Sequence, residues 1–262
     1  MHFFEVRSLS ISFGGIRALN EVSFAVRPHE IFAIIGPNGA GKTTLFNCVN
    51  GIYRADSGDV LFQGRSISGK KPDAIARLKI ARTFQNIELF KNLNTMENIM
   101  LGRHLYMRTG LFRGACLWGR RSFAGREEAA HRRKVEEIID FLGLQAARNK
   151  LVGGLPYGTQ KQIELARALA LEPELLLLDE PCAGMNSEER QDMIFWIKDI
   201  QEDLGVTILL IEHDMNMVMD ISSRILVLNF GSPITEGTPA EVQRHPEVLK
   251  AYLGEDDGEC AA

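Results

Sequence analysis

Ile31-Phe32-Ala33-Ile34-Ile35-Gly36-Pro37-Asn38-Gly39-Ala40-Gly41-Lys42-Thr43 is the stretch that decides the fold. An unbroken apolar run rich in β-branched isoleucine predicts a strand buried on both faces. The chain then becomes glycine-rich, and from Lys42 to about Asn50 it reads as a helix. The loop between strand and helix matches G-x-x-x-x-G-K-[ST]. Glycines let successive backbone N–H groups curl inward toward phosphate oxygens, and the helix N-terminus adds a partial positive charge. In that pattern Lys42 bridges β- and γ-phosphates and the Thr43 hydroxyl ligates Mg²⁺. Gly36, Pro37, Asn38, Gly39, Ala40, Gly41, Lys42 and Thr43 are therefore candidate ligands of a nucleoside triphosphate.

Upstream, Val6–Phe13 alternates as a strand, Gly14-Gly15 reads as a turn, and Val22–Val26 reads as a second strand. Asp59–Gly64 is hairpin-like. From about Asn94 to Leu171 the pattern turns helical, with helices predicted at Thr95–Leu105 and Arg126–Leu142. Strands and helices then alternate: Leu175–Asp179, helix Glu188–Glu202, Val206–Ile211, helix Met215–Ile221, and Arg224–Asn229. Alternation of this kind implies a mainly parallel sheet covered on both faces. The organisation expected is an α/β fold with an antiparallel β start and an inserted helical subdomain at about 86–170. One domain would span 1–254, followed by an acidic tail at 255–262.

Leu175–Leu178 ends in Asp179-Glu180, and carboxylates in such a place need a partner or a metal. Asp179 is the candidate to hold Mg²⁺ through water, and Glu180 to polarise the attacking water as general base. His213 follows the apolar run Ile208–Ile211. Parallel strands bring their C-terminal ends to one edge, where ligands bind, so His213 is a candidate γ-phosphate sensor. Gln85 reads either as a loop glutamine or as a ligand of Mg²⁺ and water.

The 262 residues carry 30 Lys and Arg against 34 Asp and Glu, a net charge of −4, with 45% hydrophobic residues. That composition excludes a disordered, collagen-like or disulfide-scaffold chain and speaks against non-specific nucleic-acid binding. The longest apolar runs fall far short of the ~20 residues of a spanning helix, and the N-terminus has no signal-peptide pattern. Cys48, Cys116, Cys182 and Cys260 lack CxxC spacing and read as reduced thiols. A soluble cytoplasmic chain is expected.

Taken together, these motifs resemble the nucleotide-binding domain of ABC transporters over essentially the whole chain. The order matches: Phe13 at the A-loop position, the phosphate loop extended through Thr44, Gln85 in the Q-loop, a signature region before Arg167, Asp179-Glu180, and His213 in the H-loop. The resemblance implies ATP and Mg²⁺ as cofactors, with Thr43, Gln85 and Asp179 around the metal. It also implies a dimer in which ATP lies between the phosphate loop of one subunit and the signature of the other. Phe13 would stack on adenine, though a strand phenylalanine reads the same way. The signature departs from Leu-Ser-Gly-Gly-Gln: the chain reads Leu155-Pro156-Tyr157-Gly158-Thr159. Pro156 offers neither hydroxyl nor N–H but suits the first turn of a helix. The D-loop carries Asn186 in place of the usual aspartate.

Leu155–Gly158, Ala183–Asn186, Ile211–Met215 and the ending Ala251–Glu255 look like LivG-type subunits of branched-chain amino-acid importers. The resemblance implies partners: a second ATP-binding subunit, either paralogue or self, membrane permease subunits, and indirectly an extracytoplasmic solute-binding protein. It implies a peripheral place on the cytoplasmic face of the inner membrane. Importers of urea or short amides share much of this pattern. A soluble ABC ATPase acting on nucleic acid would carry tandem domains or a coiled coil, and a phosphate-loop kinase would lack the Gln85, signature and His213 set. The segment Arg108–Arg126, rich in arginine and aromatics without an acid, reads either as a solvated loop or as a contact with the membrane partner or lipid headgroups.

Overall fold

The computed structural model describes residues 3–107 and 123–256. Most of the segment 108–126 and the last residues of the acidic end lie outside them, with Cys116 and Cys260. In chain order the elements are β1 (Phe4–Phe13), β2 (Ile16–Val26), β3 (Ile31–Ile35), α1 (Lys42–Val49), β4 (Ser57–Phe62), β5 (Arg65–Ser66), α2 (Pro72–Ala76) and β6 (Ile80–Arg82). There follow α3 (Thr95–Leu101), α4 (Phe123–Phe141), α5 (Tyr157–Leu169), β7 (Leu175–Asp179) and α6 (Ser187–Glu202). Last come β8 (Thr207–Ile211), α7 (Met215–Ile221), β9 (Arg224–Asn229), β10 (Ser232–Gly237), α8 (Pro239–Gln243) and α9 (Pro246–Asp256).

Two compact units result. The first comprises Met1–Arg82, Glu174–Cys182 and Ile194–Ala262; the second comprises Thr83–Pro173 and Ala183–Met193.

The first unit holds both sheets. One is antiparallel, in the order β2-β1-β4-β5, and the other runs β10-β9-β3-β8-β7-β6. Gly14 and Gly15, at φ +54° and +87°, close the β1–β2 hairpin between the paired residues Phe13 and Ile16, as a two-residue type I′ turn demands. In the larger sheet β3, β6, β7, β8 and β9 pair in parallel, and β10 is antiparallel to β9. The run Ile31–Ile35 is buried at every position. Phe32 and Ile34 face a core shared with Phe46, Leu177 and Leu226, while Ala33 and Ile35 face Val218, Val227 and Val248. That two-sided burial explains why the strand reads as a continuous apolar run instead of an alternating one.

The second unit carries α3, α4 and α5. The helix expected at Thr95–Leu105 stops at Leu101. At Gly102 a Cβ would stand 2.4 Å from the carbonyl oxygen of Arg167, so only glycine permits this approach. A short 3₁₀ turn, His104–Tyr106, replaces the rest of the helix. Arg103 Nη1 and Tyr106 Oη then donate to the carbonyls of Ala170 and Leu171 at 2.8 and 2.6 Å. Helix α3 begins in a capping box, Asn94 with Glu97. Helix α4 begins at Phe123, before the expected Arg126, and α9 continues past Gly254 to Asp256.

Candidate functional site

Register places the chemistry of the first unit on one sheet edge. Ile34 of β3 pairs with Ile211 of β8, and Ile211 pairs with Asp179 of β7. From that row the chain proceeds to Gly36, to Glu180 and to Glu212-His213. The phosphate loop follows β3 directly. Gly36, Gly39 and Gly41 hold φ of +150°, +77° and +101°. At Gly36 a Cβ would lie 2.1 Å from the Leu228 carbonyl oxygen, and at Gly41 it would lie 2.6 Å from that of Ala18. Gly39 has open space around it. Two glycines are thus imposed by packing on β9 and β2, and the third by its positive φ. Lys42 opens α1 and lies buried, its Nζ donating to the carbonyls of Gly36 and Pro37 at 2.5 and 2.9 Å.

Asp179 is almost completely buried and pairs with Arg82, whose Nη2 stands 2.7 Å from Asp179 Oδ2. The other arm of the guanidinium, Nη1, donates to Asn47 Oδ1 at 2.7 Å, and the group lies over the Phe46 ring at 5.5 Å. Both Asn47 and Phe46 belong to α1. One arginine therefore joins the aspartate at the end of β7 to the helix that follows the phosphate loop.

Glu180 sits just past β7 with φ +48°, a conformation rarely adopted by non-glycine residues. Its N–H donates to the Ile211 carbonyl at 2.9 Å. His213 is exposed, with Nδ1 3.8 Å from Glu180 Oε2 and 3.8 Å from Glu212 Oε2. Asp214 caps α7, its Oδ1 accepting from the N–H groups of Asn216 and Met217. Phe13 is 45% exposed, so it is not a core phenylalanine, and its ring meets Tyr53 edge-on at 5.2 Å.

In the second unit, Gln85 lies in a segment gripped by α5. Lys161 Nζ donates to the carbonyls of Gln85 and Phe84 at 2.7 and 3.3 Å. Glu164 accepts from the Phe84 N–H at 3.4 Å, and Arg167 donates to the Glu88 carbonyl. Burial pushes the Glu164 carboxyl above its ordinary value against the pull of Lys161 nearby, and burial lowers the Arg167 guanidinium.

Pro156 is the N-cap of α5 and accepts from Gln160 N–H at 3.0 Å through its carbonyl. Leu155 accepts from Gln160 Nε2 at 2.8 Å. Beyond Pro156, the Tyr157 ring packs on Gly184, where a Cβ would be 3.1 Å from Tyr157 Cε1. At Gly158 a Cβ would fall 2.4 Å from Glu189 Oε1, while Thr159 continues the first turn. Asn186 and Glu189 form a reciprocal cap: Glu189 N–H donates to Asn186 Oδ1 at 2.9 Å and Asn186 N–H to Glu189 Oε2 at 3.1 Å. The signature residues and the D-loop thus pack on each other through Tyr157 and Glu189.

The sequence profile of the ABC transporter family matches residues 19–183. The chain belongs to the ATP-binding subunits of ABC transporters. These are ATPases coupled to transport, and they bind nucleotide. A second profile, described as the branched-chain amino acid ATP-binding cassette transporter, matches residues 232–258 of this ABC subunit. The high-affinity branched-chain amino acid transport ATP-binding protein LivG of Salmonella typhimurium is 40% identical over 257 residues, covering 95% of this chain and 97% of that protein. LivG of Escherichia coli K12 is 41% identical over 250 residues, with the same coverage. A probable LivG of Archaeoglobus fulgidus is 36% identical over 259 residues, covering 99% of this chain and 98% of that one. Among solved structures, the ADP conformation of an ATP-binding cassette of an ABC transporter superposes with a TM-score of 0.83 at 29% identity, covering 97% and 99% of the two chains. A nucleotide-free cassette gives 0.82 at 28% identity, covering 96% and 99%.

Sequence reasoning missed Arg82, Glu212, Tyr53, Glu189 and the Lys161–Glu164–Arg167 stripe as parts of this architecture. For Glu189 the signal was present, since Asn186-x-x-Glu189 has capping-box spacing. Arg82 and Tyr53 act on residues remote in sequence, Glu212 joins its own loop to that of Cys182, and no local pattern marks them. Cys48 and Cys182 are buried, and burial pushes the Cys48 thiol up to about 11.

Proposed function

We propose that this chain hydrolyses ATP to energise uptake of branched-chain amino acids through separate membrane subunits. The observation that carries the reading is the Ile34–Ile211–Asp179 row. It brings phosphate loop, acidic strand end and His213 to one edge, in a chain 40% identical to LivG. The backbone from Gly36 to Thr44 cradles the phosphates, Lys42 takes the β- and γ-phosphate oxygens, and Phe13 stacks on adenine. Glu180 accepts a proton from the attacking water and His213 contacts the γ-phosphate.

The donors fit Mg²⁺, which prefers hard oxygen ligands. The Thr43 hydroxyl would supply one, and the Asp179 carboxylate would hold the ion through water, since the bond from Arg82 uses only part of its acceptor capacity. Gln85 carries over from the resemblance as a further ligand. Held by these residues, Mg²⁺ would supply neutralisation of phosphate charge.

Leu155, Pro156, Tyr157, Gly158 and Thr159 face a second cassette's ATP, with the α5 N-terminus in place of the missing serine hydroxyl. Asn186 keeps the capping function an aspartate would have. Among the described residues no helix is long and apolar enough to cross a membrane, which fits peripheral attachment to permease subunits on the cytoplasmic face of the membrane, fed by a solute-binding protein.

The test is reconstitution of the full chain with candidate permease, cassette and binding-protein partners in proteoliposomes. Leucine, isoleucine or valine is expected to stimulate ATP hydrolysis and to be taken up, and Glu180→Gln is expected to slow turnover to a measurable residual rate while retaining ATP binding. Stimulation by urea or acetamide and not by leucine would overturn the substrate assignment. Undiminished hydrolysis by Glu180→Gln would overturn Glu180 as base.

A further inference from the structure

Glu212 is one of the most deeply buried carboxylates of the first unit, 1% exposed, and the reading above gives it no task. A carboxylate in that position needs strong hydrogen bonds to offset lost hydration. It finds them on two different loops. Oε1 accepts from the N–H of Cys182 at 3.0 Å. Oε2 accepts from the N–H of His213 at 3.1 Å, with Asp214 N–H at 3.5 Å.

Cys182 is two residues past Glu180 and belongs to the loop that carries it. That loop is therefore held at both ends by the end of β8: Glu180 N–H on the Ile211 carbonyl at 2.9 Å, and Cys182 N–H on the Glu212 side chain. Between those anchors Glu180 keeps its left-handed backbone. Such a conformation persists only where its surroundings enforce it. The same carboxylate fixes the backbone at His213, and the His213 ring lies 3.8 Å from both glutamates.

We propose that Glu212 is a positioning residue for ATP hydrolysis, its buried carboxylate locking the loop of Glu180 to the loop of His213. Both oxygens are needed, since each serves a different loop. An amide in the same place keeps a single accepting oxygen and turns an NH₂ toward a backbone N–H. The inference rests on the roles given above to Glu180 and His213. It adds that their mutual placement depends on a third residue, which acts through the backbone of their two loops.

The experiment uses the full chain in its reconstituted transporter, with Glu212→Gln, Glu212→Asp, Glu180→Gln and the double variant Glu180→Gln/Glu212→Gln. Glu212→Gln is expected to lower kcat about 10- to 100-fold, the penalty for sub-ångström to ångström misplacement of a catalytic group. KM for ATP and fluorescent-ATP affinity are expected to stay within about twofold, because the phosphate loop is untouched. In the double variant, loss of Glu212 is expected to add nothing to loss of Glu180, the non-additivity of residues that act as one device.

A proportional loss of ATP affinity, or full additivity in the double variant, would overturn the proposal in favour of a purely structural role. If Glu212→Gln fails to fold, Glu212→Asp carries the test. Its shorter arm reaches one loop only, and kcat is again expected to fall at unchanged KM. Wild-type kcat in a folded Glu212→Gln or Glu212→Asp overturns it outright. Failure of the parent reading shows separately, as undiminished hydrolysis by Glu180→Gln.

Discussion

Arg82 Nη2 donates to Asp179 Oδ2 at 2.7 Å, and both side chains are withdrawn from water. The pair ties the last residue of β7 to the last residue of β6, and through Asn47 to α1. Removing one partner of a buried pair leaves the other's charge without compensation, which typically costs about 3–5 kcal/mol. Arg82→Met is expected to lose stability of that order in urea denaturation. Arg82→Lys is expected to recover only part, because one ammonium cannot reproduce the two-armed guanidinium fork that reaches Asp179 and Asn47 together. A loss under about 1 kcal/mol in Arg82→Met would show that the pair contributes little.

Glu180 combines a catalytic assignment with a backbone glycine would adopt more easily. Comparing Glu180→Gly with Glu180→Ala separates the two. Both remove the carboxylate and are expected to stop hydrolysis. Glycine is expected to be the more stable by about 1 kcal/mol, the penalty a Cβ carries in the left-handed region. Equal melting temperatures would show that the loop relaxes.

Gly158 meets Glu189 so closely that a methyl group must displace it. The Glu189 carboxylate is pinned by Asn186, so it cannot swing away freely. Gly158→Ala is expected to destabilise by about 1–3 kcal/mol, as overpacking does. The same change in a Glu189→Ala background is expected to be nearly neutral. A double-mutant cycle on thermal or urea stability reads the coupling, and additivity would disprove the contact.

Glu164 carries a carboxyl raised by burial, so its folded pKa exceeds its unfolded one. The folded state then holds its proton more tightly. Stability from this group is greatest below its unfolded value, near the ordinary 4.5, and declines as pH rises through the folded value. Glu164→Gln removes that slope while keeping an oxygen for the Phe84 N–H. The difference in urea midpoint between variant and wild type is expected to shift in the variant's favour as pH rises from about 4 to 7. A pH-independent difference would contradict the raised carboxyl.

What could be read from the sequence was what is contiguous. Ile31–Thr43 names its own strand, loop and helix because the apolar run, the glycine spacing and the Lys42-Thr43 step lie together in one stretch. Leu175–Glu180 and Ile208–His213 could be read for the same reason: buried parallel strands are apolar throughout, and polar residues mark their ends. The boundaries that failed were set at a distance. Helix α3 stops at Leu101, beside Gly102, which packs against the Arg167 carbonyl, a contact across many residues. Strand β6 is only Ile80–Arg82, too short for any periodicity, and it exists because β7 lies beside it. Arg82 and Glu212 belong to this second kind, since each is an ordinary charged residue until the sheet sets it against its partner.

The strand order has a consequence for how the protein is made. Strand β3 leaves the ribosome early, yet both its sheet neighbours come late, β8 at Thr207–Ile211 and β9 at Arg224–Asn229. Through most of synthesis Ile31–Ile35 is a bare apolar ribbon with both hydrogen-bonding sides unmet, the kind of segment that invites aggregation and slows folding. In the finished sheet the Leu228 carbonyl of β9 lies against Gly36, where it leaves no room for a Cβ. A chain broken off before β9 is therefore expected to leave β3 without one of its two sheet neighbours, however complete its motifs.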